Sequence, residues 1–465
     1  MSFNQGNIVG ANLFQQVIDD LHLCDLTTTG QRYTWINNRE DEDPVMERLD
    51  RAFAMVEWVN MYPLYSLRNL PIIHSDHGPI LLDLKVCGPF RKRPFKFEHM
   101  WITHPTCHDL IKKLWSFSSH GSRAAQLRKK LSNVRKNTLE WNRVVFGRVE
   151  TEIKEKQAHL QILQNSICSV EHAKAEKNLR MEIKDLLDRE ELMWAQKART
   201  KWFLYGDRNI EYFQTMVKQR RARSRILQLK NGQGIFTDKL EEIETILNDY
   251  FQENYECRDN ISVEELVDEL QGLPIPTLST QDCSLLNKPI SSMGIEDTVF
   301  QLGPHKAPSS NGIPAFFYHE YWSIVKSDVN TVQAFFHSGS LFKPLNHTFI
   351  TLIPKVTYPE GVNHFKPISL CNVIYKIIFK ILVNRLKPLM DKLITHFQNA
   401  FIKGRNIFDN ILIAHEIMND LRKKRGEKYS FGALKIDMSK AYDKVRWNFL
   451  KAVLVVMKFD AKWIN

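Results

Sequence analysis

Two spacings of apolar residues alternate along this chain. At helical spacing, Leu13, Phe14, Val17, Ile18 and Leu21 share a face, which predicts an amphipathic helix within 13–26 running into a short strand. Tyr33, Thr34, Trp35 and Ile36 read as a strand, and another begins within 44–54. Apolar runs at 70–73 and 79–84 flank a polar tip of Ser75, Asp76 and His77. From 121 to 200 the pattern is helical again: Leu127, Leu131, Val134 and Trp141, then Leu160, Leu163 and Ile167, then Leu179, Ile183, Leu186 and Met193. No proline falls between Pro105 and Pro274, so long helices are permitted. Gly147 and 166–170 are the expected breaks of a helical hairpin, and the drifting spacing argues against a sustained coiled coil. Asn231 and Gly232 predict a hairpin between 226–229 and 234–236. A helix follows over 238–251, with Asp238 and Glu241 as its capping box. Residues 254–290 hold Gly272, Pro274, Pro276 and Pro289 and read as a linker at the main domain boundary. Beyond them come strands at 347–355 and 363–370 and helices at 375–390 and 407–421. At 433–437, Leu434 and Ile436 alternate with Lys435 and Asp437, the signature of a strand ending in an acid. Helical spacing then returns at Val445, Phe449, Val453 and Val456. The whole is a mixed α+β, multidomain pattern.

Composition narrows the partners. The chain has 465 residues and a net charge of +11, which favours a polyanion. Ten cations and five aromatics crowd 197–230. There Lys218, Arg220, Arg221, Arg223 and Arg225 suit contact with a nucleic-acid backbone, and a solvated charged face gives the same pattern. Residues 86–120 interleave basic residues with Phe95, Phe97, Trp101, Trp115 and Phe117. That suits either stacking on single strands or a small packed subdomain. Seven cysteines without a C-x-x-C pair point to a reducing, intracellular compartment, nuclear or cytoplasmic. The first residues carry no secretory pattern, and no apolar run is long enough to span a membrane, so neither secretion nor a membrane partner is expected.

Two acids stand where chemistry is done. Asp76 and His77 share a strand tip, suited to water activation or metal-assisted phosphodiester cleavage and equally to a surface turn. Asp437 ends a strand just before a helix, suited to holding a metal over a rigid sheet or to capping that helix. Taken with Tyr33, Thr34 and Trp35, then Glu47, Arg48, Leu49, Asp50 and Arg51, then Ser75 to Ile80, the N-terminal 1–86 resembles the C-terminal third of the endonuclease/exonuclease/phosphatase family. The resemblance implies an α/β-sandwich tail with His77 as catalytic histidine, Asp50 as its orienting carboxylate and Asp76 on the metal side. The family's upstream Asn, Glu, Tyr and Asp-x-Asn groups have no counterpart here, so nuclease activity is not expected.

Residues 291–465 resemble the fingers and early palm of a reverse transcriptase of the non-LTR (LINE-type) retrotransposon class, plant-like in flavour. Leu352 to Lys355, Phe365 to Leu370, Gln398 to Phe401 and Lys435 to Asp443 carry the resemblance. Between the two ends, 87–253 is a helical, basic connector and 254–290 the linker. The resemblance implies magnesium on Asp437 beside the Met438 backbone. It implies Lys355 and Lys366 at the triphosphate of an incoming nucleotide, Tyr442 as the ring that excludes a 2′ hydroxyl, and Arg405 near template or primer. Lys366 stands where the family usually has Arg, keeping charge but losing bidentate geometry. Ser309, Ser310 and Asn311 replace the middle of a Lys-Ala-Pro-Gly-Pro-Asp-Gly loop, which costs turn rigidity. An RNA template and a DNA primer or target are the implied partners. The family's paired aspartates have no counterpart after Asp443, so the expectation is a polymerase segment that is inactive as it stands.

Overall fold

The computed structural model describes residues 11–464 apart from 22, 27, 38–44, 63–64, 74, 85–93, 146–148, 166–169, 199–212, 215–216, 218–219, 222–223, 257–260, 357–358, 424–431 and 439–440. Helix and sheet are mixed, with about 58% helix, so the α+β class holds. The chain divides into two compact units that interleave along the sequence. The first takes Met1–Asp249, Gly303–Asp328 and Lys343–Val373, and the second takes Tyr250–Leu302, Val329–Phe342 and Ile374–Asn465.

Small sheets build the start of the first unit. Helix α1 (Ala11–Asp20) leads into β1 (Leu23–Asp25), which pairs antiparallel with β5 (Phe53–Met55). β2 (Thr28–Gly30) runs parallel to β6 (Ser66–Asn69), whose other edge pairs antiparallel with β7 (Ile80–Asp83). β3 (Trp35–Ile36) pairs with β4 (Met46–Glu47) and reaches His77 by a single bridge. Leu26, Val59, Tyr65 and Leu67 are buried as one cluster, with Trp58 of α2 (Val56–Met61) and Tyr62 just after it packed against it. The face of α1 expected to pack inward does so only at Ile18; Leu13, Phe14 and Val17 stay exposed.

The connector is a packed core, not a stacking surface. Phe95, Phe97, Trp101 and Trp115 are all buried, which leaves only Phe117 of the five aromatics exposed. Helices α3 (Pro105–Trp115) and α4 (Arg123–Val145) hold this core beside Phe316, Phe317, Tyr318 and Tyr321. Phe97 lies 5.0 Å from Trp101, 5.1 Å from Phe317 and 5.9 Å from Phe316, ring centre to ring centre. Cys107 Sγ lies 3.2 Å from the Tyr321 hydroxyl, across 214 positions of sequence. Burial raises both the Cys107 thiol and the Tyr321 phenol above their ordinary ranges. The helical hairpin expected downstream is present as α5 (Val149–Asn165) and α6 (Val170–Ala198). Ile153, Leu179, Ile183 and Leu186 are buried, and Lys156 meets Glu182 at 2.8 Å. β8 (Leu229–Lys230) and β9 (Phe236–Thr237) form the expected hairpin. Its turn is longer than two residues, because Asn231 Oδ1 accepts from the amides of both Gln233 and Ile235. The next helix begins at Leu240, and Asp238 pairs with Arg68 at 3.1 Å instead of capping it.

Two expectations fail in the second unit. The stretch 254–290 is not a linker. Helices Val263–Leu270 and Thr280–Leu286 each open with a complete capping box, Ser262 with Glu265 and Ser279 with Asp282. Leu266 and Leu270 pack on Ala452, while Leu278 and Leu286 pack on Leu389, Leu393 and Phe459. The prolines at 274 and 276 only separate the two helices. Lys392, 2.7 Å away, and the Ser279 cap hold the Asp282 carboxyl down to about 2. The second failure is the strand at 433–437. A strand exists by virtue of a partner ladder, and no described strand pairs with this segment. Leu434 and Ile436 are 86% and 79% exposed in consequence.

Candidate catalytic and nucleotide-contact sites

The polar tip of the N-terminal sheets is assembled by backbone bonds before any side chain acts. Gly78 N donates to Thr34 O at 2.7 Å, and Ile36 N donates to Asp76 O at 2.9 Å. Gly78 is needed for closeness: a Cβ there would stand 2.7 Å from Leu70 O. Thr34, fully buried, accepts the amides of Leu49 and Asp50 on Oγ1 at 3.1 and 3.0 Å, which fixes where Asp50 points. Asp50 Oδ2 then meets His77 Nδ1 at 2.9 Å. A carboxylate only accepts, so Nδ1 carries the proton and Nε2 is left as a base. That ring is 45% exposed, open to a water or a phosphate oxygen. Asp76 is pinned on both oxygens, by the Trp35 indole at 3.1 Å and the Ser75 hydroxyl at 3.2 Å.

These bonds set the charges. The hydrogen bond to Asp50 raises His77 above the ordinary imidazole range, and the reverse contact lowers Asp50. The Trp35 bond lowers Asp76. Histidine proton resonances in Asp50→Asn should therefore titrate at a lower midpoint for His77 than in the parent. An unchanged midpoint would remove Asp50 as the cause. The structure thus brings Asp50, Asp76 and His77 together as an orienter, a fixed acid and an open base. Thr34 and Trp35 are the supporting residues that the sequence pointed to without giving them a role.

The nucleotide-contact candidates fall on a second hairpin. β10 (Phe349–Pro354) and β11 (Phe365–Leu370) pair with Ile353 opposite Lys366, and Lys355 N extends the ladder to His364 O at 2.8 Å. Lys366 lies on β11, and Lys355 follows the last residue of β10, where its ammonium donates to Asn363 O at 3.2 Å. Both lysines are exposed. The 309–312 loop is held locally and braced to the segment before β10: Asn311 Oδ1 accepts from Ile313 N at 3.0 Å, and buried Ser309 donates to His347 O at 3.3 Å.

Asp437, Met438, Tyr442 and Arg405 belong to the second unit. Asp437 and Met438 lie in an exposed, irregular segment, and Tyr442 is 84% exposed, with its ring 6.5 Å from that of Phe401. Arg405 spends its donors on Thr395 O at 2.6 Å, Gln398 O at 2.8 Å, Ile394 O at 3.2 Å and Asp391 at 3.1 Å, so it ties the 391–398 loop together. In the basic window, Lys218 and Arg223 lie outside the described residues. Arg220 donates to Ala198 O at 2.9 Å and Arg225 to Tyr65 O at 3.3 Å, which makes both of them braces of the first unit; Arg221 is exposed. Among the described residues, no three His, Cys, Asp or Glu side chains gather as metal ligands. A magnesium ion held at Asp437 would need further carboxylates, so these residues do not by themselves fit the metal site, and no step is routed through it.

Residues 353–465 match the family model of reverse transcriptase (RNA-dependent DNA polymerase). The chain is also similar to the Transposon TX1 uncharacterized 149 kDa protein of Xenopus laevis, with 25% identity over 260 residues. That alignment covers 56% of this chain and 19% of the relative, so the chain spans about a fifth of that protein. No helix among the described residues is long and apolar enough to cross a membrane.

Proposed function

We propose, from the premise that residues 353–465 belong to the reverse transcriptase family of a non-LTR retrotransposon polyprotein, that this chain is a nucleic-acid-handling segment of such a polyprotein. On this reading its parent copies RNA into DNA at a nicked target. The observation that carries the reading is the family match, which begins inside the hairpin next to Lys355 and Lys366. Those two lysines would neutralise the triphosphate of an incoming nucleotide, and Tyr442 would exclude its 2′ hydroxyl. Enzymes of the family generally use divalent metals. Here Asp437 would supply one magnesium ligand. A single carboxylate does not close a two-metal site, and among the described residues no further metal ligands gather, so we infer that this segment binds substrate without extending it.

The N-terminal tip supports a related reading. Asp50, His77 and Asp76 would serve a phosphodiester-cleaving site, and we assign 1–86 to the C-terminal part of an endonuclease/exonuclease/phosphatase domain, a reading that the 2.9 Å contact of Asp50 with His77 supports. The setting is intracellular, where RNA template and DNA target meet.

Binding as a function of salt tests the reading. A fluorescent RNA–DNA primer–template should bind with an affinity that falls linearly in log salt, as counterions are released. Lys355→Ala with Lys366→Ala should weaken a fluorescent deoxynucleoside triphosphate about tenfold, the loss expected for charge-assisted contacts. Binding that is absent, or indifferent to salt, would contradict it.

A further inference from the structure

The first unit holds a cleft of about 1210 Å³ that opens beside the nuclease-like tip and has Asp76 in its lining. One side is the N-terminal tip, with Gln31, Arg32, Tyr33, Asn37 and Asp76. The other is Glu360, from the loop between β10 and β11. Both sides belong to the same unit, and the far wall is braced to the near one. Lys230 grips Glu360 twice, by its amide to Glu360 O at 2.7 Å and by Nζ to Oε2 at 2.7 Å. The hairpin carrying Lys230 is tied back to β6 through Asp238 and Arg68 at 3.1 Å. Arg225 adds a bond to Tyr65 O, just before β6. The cleft is therefore preformed, and a ligand need not order its walls.

Its lining selects a chemistry. The Arg32 guanidinium lies over the Tyr33 ring, 5.2 Å from its centre, at a rim where Arg32 is exposed and Tyr33 half-buried. An aromatic ring backed by a guanidinium is a platform on which a nucleobase stacks. Gln31 and Asn37 offer carboxamides, which pair with base edges. Asp76 and Glu360 can accept from exocyclic amino groups. The space exceeds that of a single small-molecule pocket, so more than one base fits. A duplex, whose base edges are already paired and stacked, offers no free base to this lining.

We infer that this cleft holds an unpaired stretch of nucleic acid, with bases stacked on Tyr33, and that it joins the nuclease-like tip and the fingers hairpin on one strand. The inference rests on the reading that the chain handles nucleic acid, and its test separates the two. The probes are fluorescent oligothymidylate, fluorescent oligouridylate and a duplex, each titrated against the full chain. Tyr33→Ala should weaken the single-stranded probes about tenfold, with Tyr33→Phe near parental and duplex binding unchanged. Arg32→Ala should weaken them and lower the salt slope by about one. Loss for the DNA probe alone or the RNA probe alone still supports the cleft and names its strand. Photocrosslinking through 5-iodouracil should place adducts on peptides from both 31–37 and 359–366. Adducts confined to the first would overturn the shared site, and parental binding by Tyr33→Ala would overturn the cleft while the primer–template reading stands. If the parent chain binds none of the three probes, both fall.

Discussion

Replacing Phe97 by Ala should lower the stability of the first unit by about 3–5 kcal/mol, the range for emptying a buried aromatic site. Phe97 is fully buried among Trp101, Phe316, Phe317 and Tyr321, and its amide donates to Gly312 O at 2.9 Å. The side chain therefore holds two segments that are far apart in sequence. Hydrogen exchange should rise together across 95–115 and 312–325 in Phe97→Ala. Phe97→Leu keeps most of the volume and should lose clearly less. Exchange that rises in 95–115 alone would mean that the two segments do not share a core.

Gly312→Ala should be nearly as damaging, by about 3 kcal/mol or more from strain and overlap together. Gly312 sits at φ +73°, a conformation that side chains resist. A Cβ there would also fall 2.1 Å from Phe95 O. Backbone, not a flexible side chain, would have to give way. Thermal unfolding of Gly312→Ala beside Ser310→Ala checks this, because Ser310 makes no comparable approach. Equal midpoints for the two variants would show that the loop moves freely on Phe95.

These two sites show what local pattern conveys and what it does not. The N-terminal tip was legible because its groups act through short, ordered motifs. Asp50 and His77 were named from sequence, and they stand 2.9 Å apart. The helical hairpin was legible because spacing over 23, 17 and 29 helical residues leaves little ambiguity. The 254–290 stretch reads as a linker because its prolines and glycines outweigh two capping boxes in the same segment, Ser262 with Glu265 and Ser279 with Asp282. The strand at Asp437 failed for a different reason. Alternation states which face is apolar but not whether a partner strand is there to bond it. The packing of the connector on 312–325 has no local signal at all, since pairing across 214 positions is decided by shape. Glu360 escaped notice likewise: its partner Lys230 is 130 positions away.

The most direct test of the central claim is primer extension with magnesium on an RNA template, run on the parent chain and Asp437→Ala side by side. Both should bind the primer–template with the same salt slope and neither should extend it above background, because among the described residues no further carboxylates gather to complete a two-metal site. Extension by the parent that disappears in Asp437→Ala would contradict it and would mean that this chain closes a working polymerase site.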